Sequence, residues 1–567
     1  MRHFLHRFIR RSPAIAGGAA SPVRFGHPAW VVIAISVWLA TACNVPLWRE
    51  VSALPGQGTL RGWGFALAFG VIVAAGNAAL LTLLAWRWTL KPAAATLVLM
   101  AAFGAYFMLA YGIAIDASML VNVLQTDVKE AGDLFNLRLI LTVVALAVPP
   151  LLWLYRKRVH HPRPLRHLAH NTALLVGSVV VVVLSLLLVF QDFASTMRNH
   201  TKLRYLINPL NSVYAMGMVA TRPLRMDTST LLPLGRDATL GATYASQAKP
   251  PLLVLVLGET GRSVNFGING YERPTTPLLA QRTDLVSARN AWSCGTSTAA
   301  SVPCMFSHLD RSGFEGRKAN HESLIDVLQH AGLAVLWVDN QAGCKGVCDR
   351  VGQISTTALK DPQLCATGEC LDPIMLKDLD QHIEALPAER RARGVVVVMH
   401  QMGSHGPAYF KRSAPELKAF TPECTSTALQ ECSREQVVNA YDNSIVQTDA
   451  FLDSVLKWLS ARSQQAQTAM LYVADHGESL GENNLYLHGL PYAVAPDVQK
   501  HVPWITWLSP AMQSRLKLST PCLQKDQAER RISHDNYFHT VLGLMDVHTE
   551  AYDSERDLTR ACAGKAT

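Results

Sequence analysis

Five charge-free apolar runs in the first third of the chain restrict its fold more than any other feature of the sequence. They cover residues 28–48, 63–86, 93–115, 139–155 and 172–190. Four of them reach or approach the roughly 20 residues that an α-helix needs to cross a bilayer. The fourth is the shortest and contains Pro149-Pro150. A membrane helix tolerates such a pair better than a soluble one, because neighbouring groups re-satisfy the freed backbone. One run of this kind could be the buried helix of a soluble protein. Five in succession predict an α-helical transmembrane domain over residues 1–191 with five spans.

The charges between the runs orient those spans. Arg2, Arg7, Arg10, Arg11 and Arg24 precede the first run, Arg87 and Lys91 follow the second, and Arg156, Lys157, Arg158, Arg163 and Arg166 follow the fourth. The alternate loops, 49–62 and 116–138, balance fewer cations with Glu50, Asp116, Asp127, Glu130 and Asp133. Cationic loops stay on the cytoplasmic side, so everything after the fifth span lies outside. The net charge of +9 is therefore read as a topology signal, and no nucleic-acid partner is expected.

Cysteine placement gives an independent indication of the same compartment. Of eleven cysteines, only Cys43 lies in an apolar run; the other ten fall between residues 294 and 562. Cys294/Cys304, Cys344/Cys348, Cys365/Cys370 and Cys424/Cys432 are close neighbours, which leaves Cys522 and Cys562 as a fifth pair. An even, clustered set reads as disulfides in an oxidising compartment or as zinc ligands, Cys344 and Cys348 being the spacing closest to half a zinc site. The outside location favours disulfides.

The outer loop 116–138 carries Asn122, Thr126 and Glu130 at four-residue intervals, which predicts one polar face of a helix. That face suits either a helix lying on the membrane or contact with a lipid headgroup. Residues 192–248 read as interfacial helices and a polar linker, and residues 249–567 as a separate soluble domain.

In that domain, continuous apolar runs at 251–259, 333–339, 395–400 and 469–476 predict buried parallel strands, hence a central, mainly parallel sheet in an α/β fold. Residues 435–461 show helical spacing between Val438, Tyr441, Ile445, Thr448, Leu452, Val455 and Leu459. Ligands of such sheets bind at the carboxyl ends of the strands, where Glu259, Asp475 and His476 fall. Singly, each is an ordinary cap or ion-pair partner. Together, two carboxylates and an imidazole make a divalent metal site with an open position, the pattern of catalytic zinc. The turn 293–304, Ser-Cys-Gly-Thr-Ser-Thr-Ala-Ala-Ser-Val-Pro-Cys, offers hydroxyls between two cysteines. Thr298 would fill the open position and become a nucleophile. His405 and His488 could protonate a leaving group, stabilise a phosphoryl group or bind a second metal. Lys345, between Cys344 and Cys348, suits a phosphate oxygen.

Taken together, Gly258-Glu259-Thr260-Gly261-Arg262, Ser293 to Thr298, Val302-Pro303-Cys304-Met305-Phe306, Gly343-Cys344-Lys345-Gly346-Val347-Cys348-Asp349, Ser404-His405-Gly406-Pro407, Ala474 to Asn483 and Leu487-His488-Gly489 resemble the lipid A phosphoethanolamine transferases, the family that includes the mobile colistin-resistance enzymes. The resemblance spans almost the whole chain. It implies a periplasmic domain of the alkaline phosphatase/sulfatase type, anchored in the bacterial inner membrane. Glu259, Thr298, Asp475 and His476 are implied as the zinc ligands, with Thr298 as nucleophile and room for a second zinc during turnover. His405, His488, Lys345 and Gln341 are implied at the phosphoethanolamine group, and Asn122, Thr126 and Glu130 near the donor headgroup. The implied reaction moves phosphoethanolamine from phosphatidylethanolamine to lipid A through a covalent intermediate on Thr298, and the modified surface resists cationic peptides such as polymyxin. A monomer is expected. The same chemistry with a core-sugar or glucan acceptor, and a membrane-anchored phosphatase or sulfatase, are the alternatives.

Overall fold

A computed structural model describes residues 26–564 except 127, 246, 357–358, 360 and 367; at 128–130, 225, 228 and 229 it describes the backbone only. The apolar runs form five helices long and apolar enough to cross a membrane: α1 (Pro28–Ser52), α2 (Leu60–Leu83), α3 (Leu90–Tyr111), α4 (Leu137–Arg156) and α5 (Pro164–Leu188). Helix α4 continues through Pro149 and Pro150. Helix α5 begins eight residues before its apolar run. Pro164 presets the first turn, and the amide of Asn171 reaches across to the Ala85 carbonyl at 3.1 Å, tying this stretch to the bundle.

A buried polar knot ties the connector to the bundle. The Asn208 backbone N–H donates to Asn44 Oδ1 (2.9 Å), and its side-chain amide donates to the carbonyls of Cys43 (3.0 Å) and Ala101 (2.7 Å). The connector itself is mostly short helices up to residue 225. Residues 227–232 and 239–240 already pair with strands of the second body, at residues 319–321 and 547–548.

That body is built on an eight-stranded sheet. Its strands are β1 (Pro251–Gly258), β2 (Leu285–Trp292), β3 (Ala334–Asp339), β4 (Gly352–Ser355), β5 (Val395–His400), β6 (Gln467–Ala474), β7 (His501–Leu508) and β8 (Ile532–Ser533), in the order β8-β2-β7-β6-β1-β5-β3-β4. All neighbours are parallel except β7, which runs antiparallel to β2 and β6. Every residue of β1, β3 and β5 is buried, because separate apolar layers cover the two faces of the sheet. Helix α7 (Arg434–Ala461), started by a Ser433/Gln436 capping box, lies on one of them. Helix α6 (Thr298–Met305) follows β2 through the turn at 293–297.

All five expected cysteine pairs are disulfides, so Cys344 and Cys348 are not metal ligands; Cys43 is free and buried. The row in the outer loop departs from the expectation. Helix Ala117–Gln125 stops at Thr126, which is extended, and a separate helix, Val128–Asp133, follows. The Thr126 hydroxyl donates to the Asn122 carbonyl at 2.9 Å, satisfying a terminal acceptor that a continuing helix would have used. Asn122, Thr126 and Glu130 therefore do not share one helical face, and the Glu130 side chain lies outside the described residues.

The two bodies touch closely. A side chain on Gly112 would come within 2.6 Å of Leu485 and 2.9 Å of the Asn484 carbonyl, so only glycine fits at that crossing. Lys411 pairs with Asp133 at 2.7 Å, and the Gln430 amide donates to the Ala110 carbonyl.

Candidate active site

The turn after β1 begins the site. Thr260 has φ +58°, a region a β-branched residue rarely enters. Three bonds hold it there. Its N–H donates to Asp475 Oδ1 (3.1 Å), its hydroxyl donates to Glu259 Oε1 (2.6 Å), and its carbonyl accepts from the Tyr441 hydroxyl (2.7 Å). The strained turn thus aims Glu259 across the sheet end toward the residues that follow β6. Gly403 lets the loop after β5 cross this turn, since a Cβ there would lie 2.6 Å from the Glu259 carbonyl.

Glu259, Asp475 and His476 are buried and bring one donor atom each within 4.8 Å of one another. His476 Nε2 stands 3.3 Å from Glu259 Oε1 and 3.5 Å from Asp475 Oδ2. Its Nδ1 donates to the Gly477 carbonyl at 2.8 Å, which turns Nε2 toward the carboxylates. Asp475 Oδ2 is buried without a hydrogen-bond partner, while Oδ1 takes the N–H groups of Thr260 and His476. An orphaned carboxylate oxygen beside an imidazole nitrogen and a second carboxylate fits a divalent cation, which would take the place of the His476 proton. The electrostatics agree. Burial and the Glu259 charge push Asp475 up to about 6. Burial also opposes ionisation of Glu259, yet the adjacent His476 holds it well below the usual carboxylate range. Burial disfavours His476 as a cation, but Asp475 and Glu259 outweigh that and raise it. Two carboxylates in so small a dry space need a positive charge between them.

Thr298 is the first residue of α6. Its Oγ1 lies 3.1 Å and 3.3 Å from the Glu259 oxygens and 3.4 Å from His476 Nε2. It lies at the positive end of the helix, which suits an anionic group. Gln341 donates from Nε2 to Glu259 Oε2 at 3.0 Å, so it touches the carboxylate cluster itself. It also borders a cleft of about 500 Å³ lined by Asn340, Gly343, Ser355, Glu369 and Met402. His488 packs against His476 with ring centres 4.3 Å apart, and His405 stands 6.1 Å from His488. Lys345, at φ +52°, points its ammonium to the carbonyls of Gln125 and Ala342, each at 3.4 Å. It bridges the two bodies at the rim and lies outside the carboxylate cluster.

Sequence reasoning missed Glu478, a fully buried carboxylate 3.3 Å from His488 Nδ1. Its place two residues after His476 was the only available signal.

Two family models match the chain. The sulfatase model covers residues 251–547, and the model described as phosphoethanolamine transferase EptA/EptB covers residues 73–224. The chain is 37% identical to phosphoethanolamine transferase EptA of Escherichia coli K12, over 94% of this chain and 96% of that protein. The chain belongs to the phosphoethanolamine transferases. This transferase is also 35% identical to phosphatidylethanolamine transferase Mcr-1 of E. coli, over 92% of this chain and 95% of that one. Its fold matches the integral membrane EptA of Neisseria meningitidis with a TM-score of 0.89 at 34% identity, covering 95% and 99% of the two chains. It is a multi-pass inner-membrane enzyme whose sulfatase-like domain faces the periplasm.

Proposed function

We propose that this transferase moves phosphoethanolamine from phosphatidylethanolamine to a phosphate of lipid A, using Thr298 as nucleophile and one zinc ion held by Glu259, Asp475, His476 and Thr298. The observation that carries the proposal is the meeting of the Thr298 hydroxyl with Glu259 and His476 at 3.1–3.4 Å, at the start of α6. The proposed domains are residues 1–191 for the membrane anchor, 192–248 for the connector and 249–567 for the catalytic unit.

Thr298 Oγ1 attacks the donor phosphorus and its proton passes to water; the bond to the diacylglycerol oxygen breaks, and that oxygen takes up a proton from a site histidine. Zinc supplies a Lewis acid that favours the deprotonated hydroxyl and offsets phosphoryl charge. The N–H groups at the start of α6 face the phosphoryl oxygens, where a fixed dipole lowers the barrier. His488, braced by Glu478 and packed on His476, and His405 beside it serve as proton donors to the leaving oxygen. In the second step an acceptor phosphate oxygen attacks the phosphorus of the Thr298 ester, and the Thr298 oxygen departs and regains a proton from water. Lys345 and Gln341 border the position of the phosphoethanolamine group, and Asn122, Thr126 and Glu130 belong to the loop that faces the donor in the outer leaflet.

The test is mass spectrometry of lipid A from a Gram-negative host expressing the protein, beside Thr298→Ala. A gain of one phosphoethanolamine unit, absent in the variant, supports donor, acceptor and nucleophile together. Unchanged lipid A with modified core sugar or glucan overturns the acceptor, and transfer by the variant overturns the nucleophile.

A further inference from the structure

Edge strand β8 is followed by a histidine that joins the two halves of the catalytic centre. β8 runs parallel to the end of β2, with Ile532 beside Ala291 and Ser533 beside Trp292. His534 follows and is almost completely buried. Its Nδ1 accepts the Cys294 backbone N–H at 3.1 Å, and its Nε2 donates to the Ala474 carbonyl at 3.0 Å. Cys294 opens the turn that carries Thr298. Ala474 is the last residue of β6, directly before Asp475 and His476. An amide donor on one ring nitrogen and a carbonyl acceptor on the other require a neutral imidazole with its proton on Nε2. Burial, which pushes His534 down to about 4, is consistent with that form.

The ring is held at its own ends as well. Ser533 and Asn536 close a capping box over 533–536, and Asp535 accepts the Arg311 N–H at 2.8 Å. The Cys294–Cys304 disulfide closes the other side of the nucleophile turn. Between β2 and β6 lies β7, so the turn and the ligand-bearing strand end are not sheet neighbours. His534 spans that gap.

We propose that His534 is a positioning residue for phosphoryl transfer, a neutral strut that sets the distance between the Thr298 turn and the strand end bearing Asp475 and His476. The inference rests on the reading of Thr298 as nucleophile. It touches neither substrate nor metal ligand side chains, so its loss lowers kcat while leaving substrate binding and metal content in place. Misplacement by about 1 Å costs on the order of 100-fold in rate.

The experiment uses the full-length enzyme in detergent-lipid micelles, with His534→Ala, His534→Asn, His534→Gln and Thr298→Ala prepared alongside the parent. Diacylglycerol release from phosphatidylethanolamine gives kcat and KM, metal analysis gives zinc per chain, and hydrogen exchange reports the 293–298 backbone. His534→Ala is expected to lower kcat about 100-fold, with KM within threefold, zinc retained and exchange at 293–298 faster. Asparagine places an acceptor near the Nδ1 position and glutamine a donor near Nε2. His534→Asn is therefore expected to restore protection at Cys294 and recover at least tenfold of the lost rate, and His534→Gln to restore less of either. A His534→Ala enzyme within threefold of the parent in kcat overturns the proposal. So does loss in all three variants that only tracks the folded fraction. Should His534→Ala not fold, the split between His534→Asn and His534→Gln decides in the same way. Activity retained by Thr298→Ala would instead refute the nucleophile, which separates the two failures.

Discussion

Tyr441→Phe tests how the strained turn at Thr260 is held. The Tyr441 hydroxyl is completely buried, donates to the Thr260 carbonyl at 2.7 Å and accepts the Arg262 N–H at 2.9 Å. Phenylalanine fills nearly the same space but leaves one acceptor and one donor unsatisfied in a dry site. Each orphaned group costs roughly 1–3 kcal/mol, with the carbonyl at the low end because a lone acceptor is the better tolerated of the two. A sum of about 3 kcal/mol follows, comparable with the ~1–3 kcal/mol stored in a residue forced to positive φ. Local opening of the turn should therefore become easier by about a hundredfold, at tenfold per 1.4 kcal/mol. Hydrogen exchange followed by mass spectrometry on the peptide covering 259–266 reads that directly, without requiring the whole membrane protein to unfold in one step. Because Glu259 sits beside the turn, zinc occupancy and transfer should fall together with protection. Exchange changed by less than threefold, with transfer intact, would show that the turn does not depend on this hydroxyl.

Four further outcomes are expected. Thr298→Ala should abolish transfer while zinc stays bound by Glu259, Asp475 and His476, measured as metal per chain after gel filtration. Glu259→Gln should release the zinc, because an amide leaves Asp475 as the sole anionic ligand; retained stoichiometric zinc would contradict the ligand set. Replacing Cys522 and Cys562 by serine opens a loop with a sequence separation of 40, worth about 4 kcal/mol by the loop-entropy relation, seen as a lower denaturant midpoint of the periplasmic domain. The buried Asp339–His400 pair at 2.8 Å should give a pH-dependent cost. Burial opposes both charges, but each partner overrides it, so Asp339 is lowered and His400 raised. The Asp339 share is present above its usual range and lost as pH falls through its lowered value. The His400 share is present below about 6.5 and lost as pH rises through its raised value. Asp339→Asn should therefore destabilise most near pH 5–6, by about 3 kcal/mol, and distinctly less in alkaline solution; equal cost at both would refute the ion pair.

Much of this architecture could be read from residue order because the signals were long or repeated. Five apolar runs and the alternation of cationic loops need no tertiary information. Val395–His400 is so uniformly apolar that only a strand covered on both faces accommodates it, and the rule that ligands gather at strand ends then picked out Glu259, Asp475 and His476. The polar row of the outer loop misled because spacing alone does not reveal that the Thr126 hydroxyl terminates the helix by binding the Asn122 carbonyl. His534 was invisible for a different reason: it bonds to Cys294, 240 residues away in sequence, and no local pattern encodes such a partner. Glu478 meets His488 only ten residues on, but nothing beyond its place after His476 set it apart. The contact of the Gln341 amide with Glu259, beside its expected place at the substrate, is likewise not encoded by any local spacing.

The contact of the two bodies at the rim bears on how inhibitors are sought. The Lys345 ammonium leans on the Gln125 carbonyl, and the backbone of Gly489, next to His488, passes close enough to Met119 that an added methyl would sit 2.9 Å from its sulfur. One wall of the reaction chamber is thus built from the outer loop of the membrane anchor. A periplasmic fragment without that loop would lack this wall. Compounds that wedge between the 117–125 helix and the 488 loop would have no surface to grip on such a fragment. Screens run on the membrane-embedded enzyme would reach a class of molecule that the soluble fragment hides.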